Sequence, residues 1–160
     1  MRNAVLLLML VIAFGCSEAG DVLAARTDEA RSVGLAFVGA LGAGDVAKAT
    51  GLAGAPMKWR SSRAERDEDV ARLVAAFTPR VAHIAKRWTA AEAFSRGDLE
   101  AGRWPRGRTL EGDAAAREAD ALGVGIGGYL VRVHGEADAG CLVAVNPVGT
   151  ELRVTAVNDL

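Results

Sequence analysis

Cysteine is almost missing from this chain of 160 residues: Cys16 and Cys141 are its two. That scarcity excludes a disulfide-stapled scaffold. Lysine is nearly as rare, occurring only at Lys48, Lys58 and Lys86, and the formal net charge is -1 with a pI near 6.1. Nucleic-acid binders draw most of their affinity from phosphate neutralisation and carry a basic face, so no nucleic-acid partner is expected. Histidine is limited to His83 and His134, and aromatics make up 5% of the chain. The chain also lacks internal repeats and low-complexity blocks. What it does have is 51% hydrophobic and 24% charged residues, a composition typical of a globular domain.

Long apolar runs are missing too, with one exception. After Met1-Arg2-Asn3, the stretch "AVLLLMLVIAF" runs from Ala4 to Phe14 without a charge. A membrane-spanning helix needs about 20 apolar residues, and Ser17-Glu18 end this run too early. Its length suits the h-region of a signal peptide, roughly 7–15 residues. A buried core helix or an ordinary secretory signal with an incidental cysteine are the other readings. Ala13-Phe14-Gly15-Cys16 resembles the lipobox of bacterial lipoproteins, in which small residues precede the cysteine that is modified. Gly15 matches that pattern well; Ala13 stands where leucine is commoner, and Phe14 is unusual.

The resemblance implies lipidation of the Cys16 thiol by a diacylglyceryl group and cleavage between Gly15 and Cys16. It often implies a further acyl chain, such as palmitate, on the new amino group. Several chains on one residue anchor stably, whereas one alone binds membranes only marginally. Ser17 replaces the aspartate of the enterobacterial inner-membrane retention pattern. In a Gram-negative cell this implies an outer-membrane anchor with the domain facing the periplasm. The expected division is a signal peptide over 1–15, a lipidated tether over 16–26 and one domain over 27–160. With lipid on Cys16, no internal disulfide is expected, and the apolar surroundings of Cys141, "AGCLVAVN", suit a buried inert thiol.

Within the domain, Thr27 is a good N-cap, with Val33, Phe37 and Leu41 marking an amphipathic helix over 28–42. Gly42-Ala43-Gly44 breaks it, and Asp45 can cap a short second helix reaching Leu52. Met57-Lys58-Trp59 reads as a short strand. Ser62-Arg63-Ala64-Glu65 has the spacing of a capping box ahead of a stripe at Val70, Leu73, Val74 and Phe77. Thr78-Pro79 reads as a fresh N-cap and first helical position. Residues 86–96 fit a helix or a strand equally, and 113–121 a short helix. Alternation then marks strands over 129–134, 141–146 and 152–157, with Asn146-Pro147-Val148-Gly149 as a turn. Helices first and an antiparallel meander last predict an α+β domain, with helices packed on one face of a bent sheet.

"ARSVGLAFVGALGAGDVAKATGLAGAPMKW" resembles the opening of a nuclear transport factor 2-like domain: a long helix, a Gly-Asp turn into a second helix, and a short strand. The family ends in a strongly bent antiparallel sheet enclosing a cone-shaped pocket. Its enzymes, such as polyketide cyclases and steroid isomerases, use His, Asp or Tyr there. No local motif of this chain matches theirs. His83 or His134, partnered by Asp45, Asp113 or Tyr129 with Trp59 as lining, are the pocket candidates.

Three further patterns bear on function. Gly123-Val124-Gly125-Ile126-Gly127-Gly128 fits G-x-G-x-x-G, but it follows a helix and opens a strand, the reverse of the dinucleotide motif. Glycines that let a strand bend explain it better. His134, Glu136 and Asp138 alternate, yet they straddle a hairpin turn and lack further ligands, so no metal and no cofactor are expected. Arg96, Arg103, Arg106 and Arg108 surround Trp104, but Asp98, Glu100, Glu111 and Asp113 are interleaved, which suits a mixed solvated loop. The expectation is an envelope lipoprotein that binds a small apolar ligand or a partner protein without catalysis. An acid-base enzyme of isomerase, dehydratase or cyclase type is the alternative, and a homodimer through the sheet face a third reading.

Overall fold

The computed structural model describes the backbone of residues 2–135 and 139–158, and within these the side chains from Gly20 onward except that of Arg106. The chain is an α+β domain with helices in its N-terminal half and a six-stranded sheet that does not close. Two helices lead: α1, Arg2–Ala43, and α2, Val46–Leu52. A hairpin follows, β1 (Ala53–Trp59) and β2 (Ser62–Ala64), then helix α3 (Asp67–Ala85) and strand β3 (Ala90–Ser95). After α4 (Arg96–Glu100), a 3-10 turn at Pro105–Gly107 and α5 (Gly112–Ala121), the chain ends in β4 (Tyr129–His134), β5 (Gly140–Val148) and β6 (Glu151–Asn158).

The strand order is β2-β1-β6-β5-β4-β3. All ladders are antiparallel except β1 against β6, which is parallel, so the sheet is mixed and not the antiparallel one expected. The reason lies in connectivity. β1 enters from the helices and is paired by the last strand, which runs in the same direction.

The period-two alternation of each strand divides the core into two layers. The inner face, with Tyr129, Val131, Val133, Val143 and Val145, packs under α1 and α3. The outer face, with Leu130, Ala144 and Ala156, is covered by α4, the 3-10 turn and α5 through Leu99, Trp104 and Ala119. α1 contributes Ala30, Phe37, Val38 and Leu41, all fully buried, at helical spacing. Burial of each of the larger ones stabilises by about 1.5–3 kcal/mol.

Several local expectations are corrected. α1 does not start at Thr27: its helix runs through that residue, whose Oγ1 donates back to Leu23 O at 2.9 Å. No proline interrupts the preceding stretch, and its side chains from Gly20 to Ala25 are exposed. The backbone over 16–26, the expected lipidated tether, is part of the α1 helix.

Ser62 does not cap a helix. Arg60, at φ 55°, turns the chain so that Ser62 pairs with Trp59, and α3 begins at Asp67 with Asp67, Glu68 and Asp69 in its first turn. Thr78-Pro79 does not start a new helix either. Pro79 sits inside α3, and Thr78 Oγ1 donates to Val74 O at 2.7 Å. An interior proline costs about 3 kcal/mol or more. The buried stripe of Val70, Val74, Val81 and Ala85 on either side of it outweighs that cost.

The 86–96 ambiguity resolves as strand β3, and the helix expected over 113–121 is α5. The last turn lies later than expected. β5 continues through Pro147, paired with Leu152, and Val148 pairs with Glu151. That leaves Gly149-Thr150 as the two connecting residues, with Gly149 at φ 63°, the backbone a tight hairpin requires.

Candidate functional site

Strand parity and helix phase decide where the candidate residues stand. Tyr129 and Trp59 face the inner core, and both are buried. Trp59 stacks on Phe77, ring centres 4.8 Å apart, and meets Phe37 at 6.2 Å. Its Nε1 is buried with no hydrogen-bond acceptor among the described residues. An orphaned donor costs about 1–3 kcal/mol. A buried tryptophan removes roughly 150–250 Å² from water, worth about 4–6 kcal/mol at 25 cal/mol/Å², so packing wins.

The titratable candidates do not join Trp59 and Tyr129. His83 is exposed on α3. Asp45 is exposed and engaged as the N-cap of α2, accepting from the Lys48 N–H at 3.0 Å. His134 is half-buried at the end of β4, where odd-even alternation turns it away from the face that carries Tyr129. Asp113 is exposed in the first turn of α5. The geometry therefore scatters the acid-base set over two sheet faces and three helices.

Glu136 and Asp138 of the alternating triplet lie outside the described residues. Among the described residues no group of three His, Cys, Asp or Glu side chains stands close enough to hold a metal ion. Cys141 is buried on β5.

Arg96, Arg103 and Arg108, three of the arginines around Trp104, are used internally. Arg96 Nη1 donates to Asp120 at 2.5 Å and to Val124 O at 2.7 Å, and its Nε to Glu100 at 2.8 Å. These carboxylates, Asp120 first, raise the Arg96 pKa above its ordinary value. Arg103 pairs with Asp98, and Arg108 with Glu118 at 2.9 Å. Trp104 is buried, its Nε1 donating to Leu99 O at 2.8 Å. The loop is a self-paired cover over the outer face.

The glycine-rich segment forms a folded connection from α5 to β4. Asn146 organises it: Oδ1 accepts the Gly125 N–H at 2.8 Å, and Nδ2 donates to Gly123 O at 2.7 Å and Thr155 Oγ1 at 2.5 Å. Thr155 is the extra residue of a bulge, where Ala144 pairs with Ala156 but Val145 with Val154. Sequence reasoning missed this network, because neither the bulge nor the partner of Asn146 has a local signature.

Beside it lies a cleft of about 490 Å³ on the outer face, where the α5 cover ends and the β1–β2 wing is bare. Its floor includes Asn146 and Ala156; Pro56, Pro147 and Val148 form apolar wall, and Lys58, Arg63 and Asp120 line the rim. Lys58 stands next to Ala156 on one side and Arg63 on the other by strand register. A second cavity of about 440 Å³ is lined by Ile84, Trp88 and Thr89 among others. Neither cavity is lined by His83, His134 or Tyr129. Among the described residues no helix is long and apolar enough to cross a membrane. No family model, curated protein or solved structure matches the chain.

Proposed function

We propose that this chain is an envelope lipoprotein, anchored through lipid on Cys16, whose nuclear transport factor 2-like domain binds a small ligand and performs no chemistry on it. The anchor reading is supported by the Ala4–Phe14 run that closes on Gly15-Cys16. The family reading is supported by the helix, Gly-Asp turn, helix and strand at the start, and by a final three-strand meander.

One observation carries the choice of binding over catalysis. His83, His134, Asp45 and Tyr129 line neither of the two cavities described, while the outer cleft combines apolar wall with hydrogen-bonding groups. That mixture is what small-molecule sites have, within their usual range of roughly 300–1,000 Å³. A general acid or base must reach its proton at about 2.6–3.2 Å, and neither histidine nor Tyr129 lines the outer cleft.

The test has two arms. Cys16→Ser should abolish incorporation of a fatty-acid analogue and release the chain from membranes; undiminished labelling defeats the anchor. Native mass spectrometry of the chain extracted from its host should show a bound small molecule. A chain that is bare in every preparation would defeat the binding reading.

A further inference from the structure

We infer that the outer cleft binds the carboxylate of a small organic acid, held by Lys58 and Arg63, with its apolar body against Pro56, Pro147 and Val148. The inference rests on the binding reading above and names the chemistry of the ligand.

The first argument is the register. Lys58 and Arg63 are direct cross-strand partners on β1 and β2, and both are exposed. Like charges placed directly opposite one another destabilise a strand pair. An anion bound between them turns that repulsion into attraction.

The second argument is the count of donors. Lys58 Nζ gives one hydrogen bond, to Ala121 O at 3.1 Å, and forms no ion pair with a described residue. That carbonyl, at the C-terminal end of α5, attracts a cation and fixes where the ammonium stands. An ammonium carries three donors, so two are left for a ligand. Arg63 pairs through Nε with Glu65 at 2.5 Å, and its terminal nitrogens have no described acceptor.

The third is the charge balance, which selects the class of anion. Glu65 offsets Arg63, and Asp120 is drawn to Arg96. About one positive charge is left uncompensated, which suits a monoanionic carboxylate better than a phosphate dianion. A guanidinium edge and an ammonium together also match the two oxygens of a carboxylate. The wall beyond them is apolar, so the acid carries a hydrocarbon or aromatic body.

The experiment uses the full chain in phosphatidylcholine nanodiscs, with empty nanodiscs as reference. Fluorine NMR reads the binding of para-fluorophenylacetate against its neutral amide. The acid should bind about tenfold more tightly than the amide, the equivalent of one charge-assisted contact. Arg63→Gln, which leaves the Lys58–Ala121 contact in place, and Lys58→Gln should each weaken the acid about tenfold and leave the amide unchanged. Lys58→Arg should restore most of the affinity. Absence of binding, equal affinity for acid and amide, or indifference to both substitutions overturns the inference. A neutral molecule co-purifying with the host protein would also overturn it, yet would leave the binding reading standing.

Discussion

Gly125 donates its backbone N–H to the side-chain oxygen of Asn146, 21 residues further along the chain, at 2.8 Å. The same amide reaches back to Gly123 O, so one side chain closes the connection from α5 to β4. A Cβ on Gly128 would lie 1.9 Å from that oxygen, which leaves no room for one. Asn146→Ala should cost about 1–3 kcal/mol in urea unfolding, the penalty for stranding partly buried partners. Gly128→Ala should also destabilise. The double variant should lose less than the sum, because deleting Asn146 removes the clash. Strict additivity would contradict this coupling.

Two glycines of α1 separate packing from propensity. At Gly34 a Cβ would come within 2.7 Å of Val131 Cγ1, where the helix presses on the sheet. At Gly39 it would meet nothing within 4 Å. Gly39→Ala should stabilise by up to about 1 kcal/mol through helix propensity alone. Gly34→Ala has the same propensity gain, but overpacking typically costs about 1–3 kcal/mol, so the net should be destabilising. Thermal unfolding of both variants settles the comparison; equal signs would mean that α1 does not approach β4 this closely.

Asp69 gives the acid limb a defined contribution. The hydrogen bond from Arg66 lowers its pKa below the ordinary 3.8, and Arg72 adds to the effect against a desolvation that opposes it. A carboxyl with a depressed folded pKa adds stability that is full above the unfolded value and is lost as pH falls through the folded one. The wild type should therefore exceed Asp69→Asn in thermal midpoint at about pH 5, with the gap narrowing as pH falls below the ordinary 3.8. A gap of constant size across that range would show that the carboxylate contributes nothing through its charge.

How much of this was legible in the sequence depended on how local the signal was. The stripe of Val33, Phe37 and Leu41, the cap at Asp45 and the alternation of β4 to β6 are written within a few residues, and each appeared in the fold as expected. The capping box assigned to Ser62 fits the same local rule, but Arg60 had already turned the chain into a hairpin. Parallel pairing of β1 with β6 joins residues about a hundred positions apart, and no local pattern announces it. The same holds for the cleft. Lys58 and Arg63 look like two ordinary surface cations until the register sets them side by side, and Ala121 enters only because α5 ends above them.

The two cysteines turn the anchor into a count. Cys141 is 1% exposed on β5, so in the folded chain it should resist alkylation by iodoacetamide. Unfolding exposes it, and the number of thiols then modified depends on Cys16 alone. If lipid occupies the Cys16 sulfur, intact mass after alkylation in denaturant should show a single carbamidomethyl group per chain. With Cys16 unmodified and retained, two would appear. Cleavage by an ordinary secretory peptidase beyond Cys16 would also leave one, but the chain would lack the added acyl mass and stay in the aqueous phase on detergent partitioning. One modified thiol together with acyl mass and partition into detergent is the outcome expected of a lipid anchor.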